Sequence, residues 1–330
     1  MFSRPEMTSV EVEITGNLQK LAPTKPDSMA IVNSLTFSSN GEQVIMSTDD
    51  DSMYLYDMRA GTRSRNINSK KYGCSHVKFA SDAMCALHGS TKVDNTIRYL
   101  SLTDNKYLRY FQGHDKMVTG IDVSPSDEMF LSVAEDKTIR LWDLKTYNCI
   151  GLMNLSSTPI ATFDPEGLLF AAGLDNNLIK LYDLRSFDKG PFSSFGPLDN
   201  TDNYEWTSMR FSPCGKYILI CTNSNVLFII DAFSGAIKHV LQDHQNTKQI
   251  PLTASFTPDA SHVMVGSSDG LIYFYDVESG MVAHRIPAPN NQTCHITEFS
   301  PVHFAAATAD TKLTLWCAND ELKAFASQPQ

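Results

Sequence analysis

The chain has 330 residues, 42% of them apolar by type, and 27 Lys and Arg stand against 37 Asp and Glu for a formal net charge of −10. A surface of that sign repels phosphate backbones, which disfavours free-standing binding to DNA or RNA. No apolar run approaches the length of a membrane span, and the opening stretch MFSRPEMTSVEVEITG lacks the apolar core of a signal peptide. A soluble intracellular protein with no membrane partner is therefore expected. The seven cysteines (Cys74, Cys85, Cys149, Cys214, Cys221, Cys294, Cys317) form no CxxC pair, and the histidines are dispersed with no HExxH motif. That pattern points to reduced thiols and to neither a metal nor a cofactor.

In chain order, residues 1–9 are predicted to be disordered, and Val10–Leu21 alternates partially without a repeat of its own. From Ala30 onward one pattern recurs. Short runs rich in branched and aromatic residues, bounded by Ser, Pro, Asp and Gly, read as antiparallel strands. The third strand of each unit closes at Asp57, Ser101, Asp143, Asp183, Asp231, Asp276 and Cys317, with gaps of 44, 42, 40, 48, 45 and 41 residues. Two further markers keep the same phase. A turn residue (Ser38, Ser124, Asp164, Ser212, Thr257) lies 19 residues before the closing residue in five units. Another (Asp50, Asp94, Asp136, Asn176, Ser224, Asp269, Asp310) lies seven before it in every unit. Periods of about 40–45 residues made of short strands are those of propeller blades. The prediction is an all-β, seven-bladed propeller over residues 10–318 with a disordered polar tail at 319–330. That tail is a poor strand candidate, so Val10–Leu21 is predicted to supply the outer strand of the seventh blade and close the ring.

Individual units carry distinctive residues. The first, Ala30–Ile67, ends in the chain's one marked basic cluster, Arg63, Arg65, Lys70 and Lys71, followed by Tyr72. It reads as a solvated edge strand whose charges discourage aggregation, or as a contact for an acidic or phosphorylated peptide. The second unit is degenerate, closing on Ser101 and carrying Ala80-Ser81 in place of Ser-Pro. The fifth opens with a polar insertion, Gly196–Glu205, before Trp206, which reads as partly exposed: either an interface anchor or a side chain packed on its own blade.

The third unit, Gly113 to Asp143, opens on Gly-His and closes on Trp-Asp, and so resembles a WD repeat. The resemblance implies a linked structural tetrad of His114, Ser132, Asp136 and Trp142, in which a buried carboxylate draws on imidazole, hydroxyl and indole donors. Ser, His and Asp also suggest a nucleophilic triad, but these side chains pin strands together and leave no cleft for an acyl group. No catalytic residue is assigned.

Several segments go beyond a generic repeat: NSKKYG (68–73), NTIRYLSLTDNKYLRYF (95–111), DKTIRLWDL (136–144), FDPEGLLFAAG (163–173), KLYDLRSFDKGPF (180–192) and ASFTPD (254–259). Together they resemble the small WD-repeat subunit shared by SET-domain histone methyltransferase complexes of the COMPASS type and by a nuclear protein phosphatase 1 targeting complex that acts in transcription termination. That resemblance implies a nuclear, non-enzymatic scaffold binding the N-terminal region of the methyltransferase. It also implies coupling to RNA polymerase II with a phosphorylated C-terminal repeat, and a phosphatase 1 targeting subunit as a further partner. Arg and aromatic residues dominate interface energies, so the candidate contacts are Lys70, Lys71 and Tyr72 at one blade junction and Arg185, Phe187 and Lys189 in the fourth unit. Phe187 has a second reading as a hairpin packing residue. An alternative role, substrate receptor of a cullin–RING ubiquitin ligase, rests on Tyr56-Asp57-Met58-Arg59 and Tyr182-Asp183-Leu184-Arg185, which resemble a WDxR box.

Overall fold

Val118–Val123, Met129–Ala134, Thr138–Asp143 and Cys149–Asn154 are strands a to d of the third unit, hydrogen-bonded in that order as one antiparallel sheet. The same meander recurs in a computed structural model that describes residues 18–20, 30–146, 148–198, 204–289 and 293–318. Blade one spans Val32–Asn68, blade two Ser75–Phe111, blade four Ile160–Phe195, blade five Trp206–Leu241, blade six Ala254–Pro287 and blade seven Ile296–Ala318. The a–b turn is built identically in all seven. The residue after strand a (Ser38, Ala80, Ser124, Asp164, Ser212, Thr257, Ser300) donates its N–H to the carbonyl five positions on, at 2.8–3.1 Å. The turn marker therefore holds in blades two and seven as well, displaced there because the paired b–c hairpin is longer in blade two, where Cys85 faces Ser101, and shorter in blade seven, where Ala305 faces Cys317, than in blade three, where Met129 faces Asp143.

The core is not a single central mass. Buried apolar side chains form seven layers, each between two neighbouring blades. Between blades two and three, Phe111 meets Phe130 edge-on at 4.9 Å, and Phe130 stacks on Trp142 at 6.1 Å. Burial of one such ring contributes about 1.5–3 kcal/mol, so each blade is stabilised chiefly by its neighbours. Trp206 sits in one of these layers, between blades four and five. It is 7% exposed, which corrects the reading of a partly exposed anchor.

The ring shuts in blade seven. Leu18–Lys20 pairs antiparallel with Leu313–Ala318, with Leu18 opposite Ala318, Gln19 opposite Cys317 and Lys20 opposite Trp316. The closing strand is thus present, over three residues of the Val10–Leu21 segment. The rest of that segment, and both ends predicted to be disordered, lie outside the described residues. Blade one is tied to blade seven again through the Val32 N–H, which donates to the Asp310 carbonyl at 2.8 Å. Deleting residues 1–20 should uncover the outer edge of Leu313–Ala318, lower the melting temperature and promote aggregation, as differential scanning fluorimetry with light scattering would read.

Candidate partner-binding site

The b–c turn of blade three is held by four side chains in series. The Trp142 indole N–H donates to Ser132 Oγ (2.8 Å), the Ser132 hydroxyl donates to His114 Nε2 (2.7 Å), and His114 Nδ1–H donates to Asp136 Oδ2 (2.9 Å). Asp136 draws its other bonds from the N–H groups of Asp115 (3.0 Å) and Thr138 (3.1 Å) and from the Thr138 hydroxyl (2.7 Å). This corrects the expectation that hydroxyl and indole reach the carboxylate directly: they act through the imidazole. Burial pushes the Asp136 carboxyl up, but the Thr138 hydroxyl, the His114 ring and the Asp115 N–H outweigh it and hold it below the usual carboxylate range. Burial likewise pushes His114 down against the pull of Asp136, so a neutral imidazole faces a carboxylate. Ser132 is completely buried, which bars its hydroxyl from any acyl group.

Other blades solve the same problem with other residues. In blade seven, Trp316 Nε1–H donates to Thr308 Oγ1 at 2.9 Å. In blade six, Tyr275 stands where the indole would be and accepts the His244 N–H at 2.9 Å. Blade two is the largest departure. Arg98, 2% exposed, donates to both oxygens of Asp94 (2.9 and 2.8 Å) and to Ser90 Oγ, and so joins strand c to its own b–c loop.

That guanidinium lies 3.7 Å from the Tyr72 ring centroid, a desolvated cation–π contact. Tyr72 meets Tyr107 edge-on at 5.9 Å, and Lys71 Nζ sits 4.9 Å from the Tyr72 ring. The Lys71 ammonium hydrogen bond, opposed by slight burial and assisted by the charges of Lys71 and Arg98, lowers the Tyr72 phenol from its ordinary value. The loop carrying these residues turns at Gly73, whose φ is +72°; a Cβ there would fall 1.8 Å from Thr91 Oγ1. Lys92 pairs with Asp51 of blade one. Lys70 and Lys71 remain exposed around a half-buried Tyr72. The basic cluster is thus seated on a cross-braced junction of blades one and two.

The structure does not bring the two groups of candidates together. In an up-and-down meander the d–a connections and b–c turns emerge on one face of the ring, and the a–b and c–d turns on the other. Lys70, Lys71 and Tyr72 belong to the first face, whereas Arg185, Phe187 and Lys189 occupy the c–d connection of blade four on the second. Arg185 and Lys189 are exposed. Phe187 is a packing residue: its ring wedges against blade three where Gly151 leaves room, and a Cβ on Gly151 would fall 2.5 Å from it. Both WDxR-like segments are turn caps. Asp57 accepts the Arg59 N–H and Asp183 the Arg185 N–H, each at 2.8 Å, while the Arg59 side chain is held by Glu42.

The model of the WD domain, G-beta repeat, matches residues 105–143 and 235–276, which end in strand c of blades three and six. WD repeat-containing protein 82 of Drosophila melanogaster is 46% identical over 290 residues, covering 88% of this chain and 91% of that protein. The chain belongs to this WD-repeat family. The family also includes the Set1 complex component swd2 of Schizosaccharomyces pombe, 40% identical over 75% of this chain and 69% of its own length. The COMPASS component SWD2 of Saccharomyces cerevisiae is 32% identical over 84% of this chain and 88% of its own length. In this WD-repeat protein each matched stretch joins strand d of one blade to strands a to c of the next, blades two and three and then blades five and six.

Two outcomes follow for stability. Asp136→Ala strands four donors, and should cost about 3 kcal/mol in urea unfolding. Burial also pushes His88 and His244 down to about 4. Their folded values lie below the unfolded value of about 6.5, so their contribution is complete above that pH and is lost as pH falls towards 4. The urea midpoint should therefore drop between pH 6.5 and 4, and drop less in a His88→Gln/His244→Gln variant.

Proposed function

We propose that this propeller is a non-enzymatic scaffold subunit of a Set1/COMPASS-type histone H3 lysine methyltransferase complex in the nucleus. The observation that carries the reading is likeness across most of the chain to a Set1 complex component and a COMPASS component. The architecture supports it physically. A ring of mutually packed blades holds its loops preorganised, which lowers the ordering cost of binding. The Ser–His–Asp series is sealed inside blade three, and among the described residues no cluster of His, Cys, Asp or Glu could hold a metal ion.

Within that reading, the scaffold binds the N-terminal region of the methyltransferase. Lys70, Lys71 and Tyr72 form the contact for the phosphorylated C-terminal repeat of RNA polymerase II, through two exposed ammonium groups set on a rigid aromatic base. Arg185 and Lys189, on the opposite face, are free to serve a different partner, such as a phosphatase 1 targeting subunit.

A tagged copy purified from nuclear extract should bring down the SET-domain methyltransferase in mass spectrometry; its absence from repeated purifications would overturn the reading. Lys70→Glu/Lys71→Glu should reduce binding of a phosphoserine repeat peptide at least ten-fold, by fluorescence anisotropy, and leave the melting temperature within about 1 °C.

A further inference from the structure

Strand d is the outer edge of every blade, with one row of backbone groups that no further strand covers. Such an edge is a template for any extended chain, and proteins guard it with charge, with proline or by keeping it short. Over the described residues, six of the seven blades do so. Thr62–Asn68 carries Arg63 and Arg65, Lys106–Phe111 carries Lys106 and Arg109, Ile237–Leu241 carries Lys238, and Val282–Pro287 carries Arg285 and Pro287. In blades four and seven the edge strands, Ser193–Phe195 and Leu18–Lys20, have three residues each. Cys149–Asn154 of blade three has six residues, no charge and no proline.

Register fixes which of its groups face outward. The Leu155 N–H donates to the Lys137 carbonyl opposite it at 2.9 Å. Hydrogen-bonded pairs of an antiparallel ladder recur at every second residue, so Met153 opposite Ile139 and Gly151 opposite Leu141 also bond to strand c. The N–H and C=O groups of Leu152 and Asn154 therefore point away from the sheet, and no described residue bonds to them. Ile150 and Leu152, 46% and 48% exposed, line the same edge with branched apolar groups. A bulge at Ile150, between the Gly151–Leu141 and Cys149–Trp142 pairs, limits regular pairing to Gly151–Asn154. Bulges stand at the same place in blades one, two, five and six, so this one is no guard particular to blade three. The Phe187 ring of blade four backs the strand at Gly151 and holds it in place.

We propose that Ile150–Asn154 receives an extended, apolar segment of the methyltransferase subunit as a fifth strand of blade three, hydrogen-bonded to the backbone of Leu152 and Asn154. This rests on the scaffold reading above and gives that scaffold its docking edge. In strand addition the backbone bonds supply affinity and alternate side chains supply selectivity. An edge without charge offers nothing to pair a charged side chain, and Ile150 and Leu152 favour an apolar one. A second copy of this chain suits the edge less well. Two convex rims that meet over four residues fall short of the roughly 1,200 Å² that a stable interface buries, whereas an extended segment can follow the rim beyond the strand.

The test is capture of the methyltransferase from nuclear extract by the tagged full chain, quantified by mass spectrometry. Asn154→Pro removes one outward N–H and no ladder bond, and Leu152→Lys adds the guard charge that other edges carry. Each should lower recovery at least five-fold and leave the melting temperature within about 2 °C. Ile237→Lys, on the edge of blade five that already bears Lys238, should leave recovery unchanged. Hydrogen exchange at the Leu152 and Asn154 amides should be slower in the captured complex than in the free chain. Full recovery with both Leu152→Lys and Asn154→Pro, while the unaltered chain captures the enzyme, overturns the docking edge and leaves the scaffold reading standing. Loss with Leu152→Lys but not with Asn154→Pro overturns strand addition as well. Failure of the unaltered chain to capture the enzyme overturns both readings. An effect of the variants on self-association alone, seen in sedimentation velocity, overturns the proposal and assigns the edge to a second copy.

Discussion

Every blade has apolar residues on both faces of a four-stranded sheet, so neither face can be left in water. That constraint generates the architecture: each sheet must be covered on both sides by another like it, and the stack ends only when it meets itself. The seven inter-blade layers are the physical content of the ring, and they explain why no blade carries a core of its own. Shape is fixed by mutual coverage, and the surface loops inherit their rigidity from it.

A second constraint acts at the b–c turns, where backbone and side-chain polar groups approach the apolar layers. Each blade must satisfy them, but the means are interchangeable. Blade three uses the full indole, hydroxyl, imidazole and carboxylate series, blade seven keeps the indole–hydroxyl pair, and blade six substitutes a phenol. In blade two a buried arginine performs the bracing, and it also stiffens the loop that carries the exposed lysines through its stack on Tyr72. The most divergent repeat is therefore also the one that braces a neighbouring surface loop from below.

The ring was legible in the sequence because its evidence is periodic: turn residues at constant offsets report backbone geometry directly. The tetrad was expected only through the third unit's resemblance to a WD repeat. What depends on pairing across strands was not legible. Arg98 is braced against its own loop because strand register sets it opposite His88, and nothing at position 98 alone announces that. The wedge of Phe187 depends on a missing side chain at Gly151, in a different blade. Trp206 looked accessible beside a polar insertion, yet the layer between blades four and five claims it.

The seam in blade seven has a bearing on how the molecule comes into being. Leu18–Lys20 precedes every other strand described, and its partner, Leu313–Ala318, follows them all. During synthesis the early strand must wait, unpaired, while some three hundred residues are added, and the last layer cannot be sealed before residue 318 has cleared the ribosome. The seam is thus a late event, and until it closes the outer edge of Leu313–Ala318 stands open to any other strand.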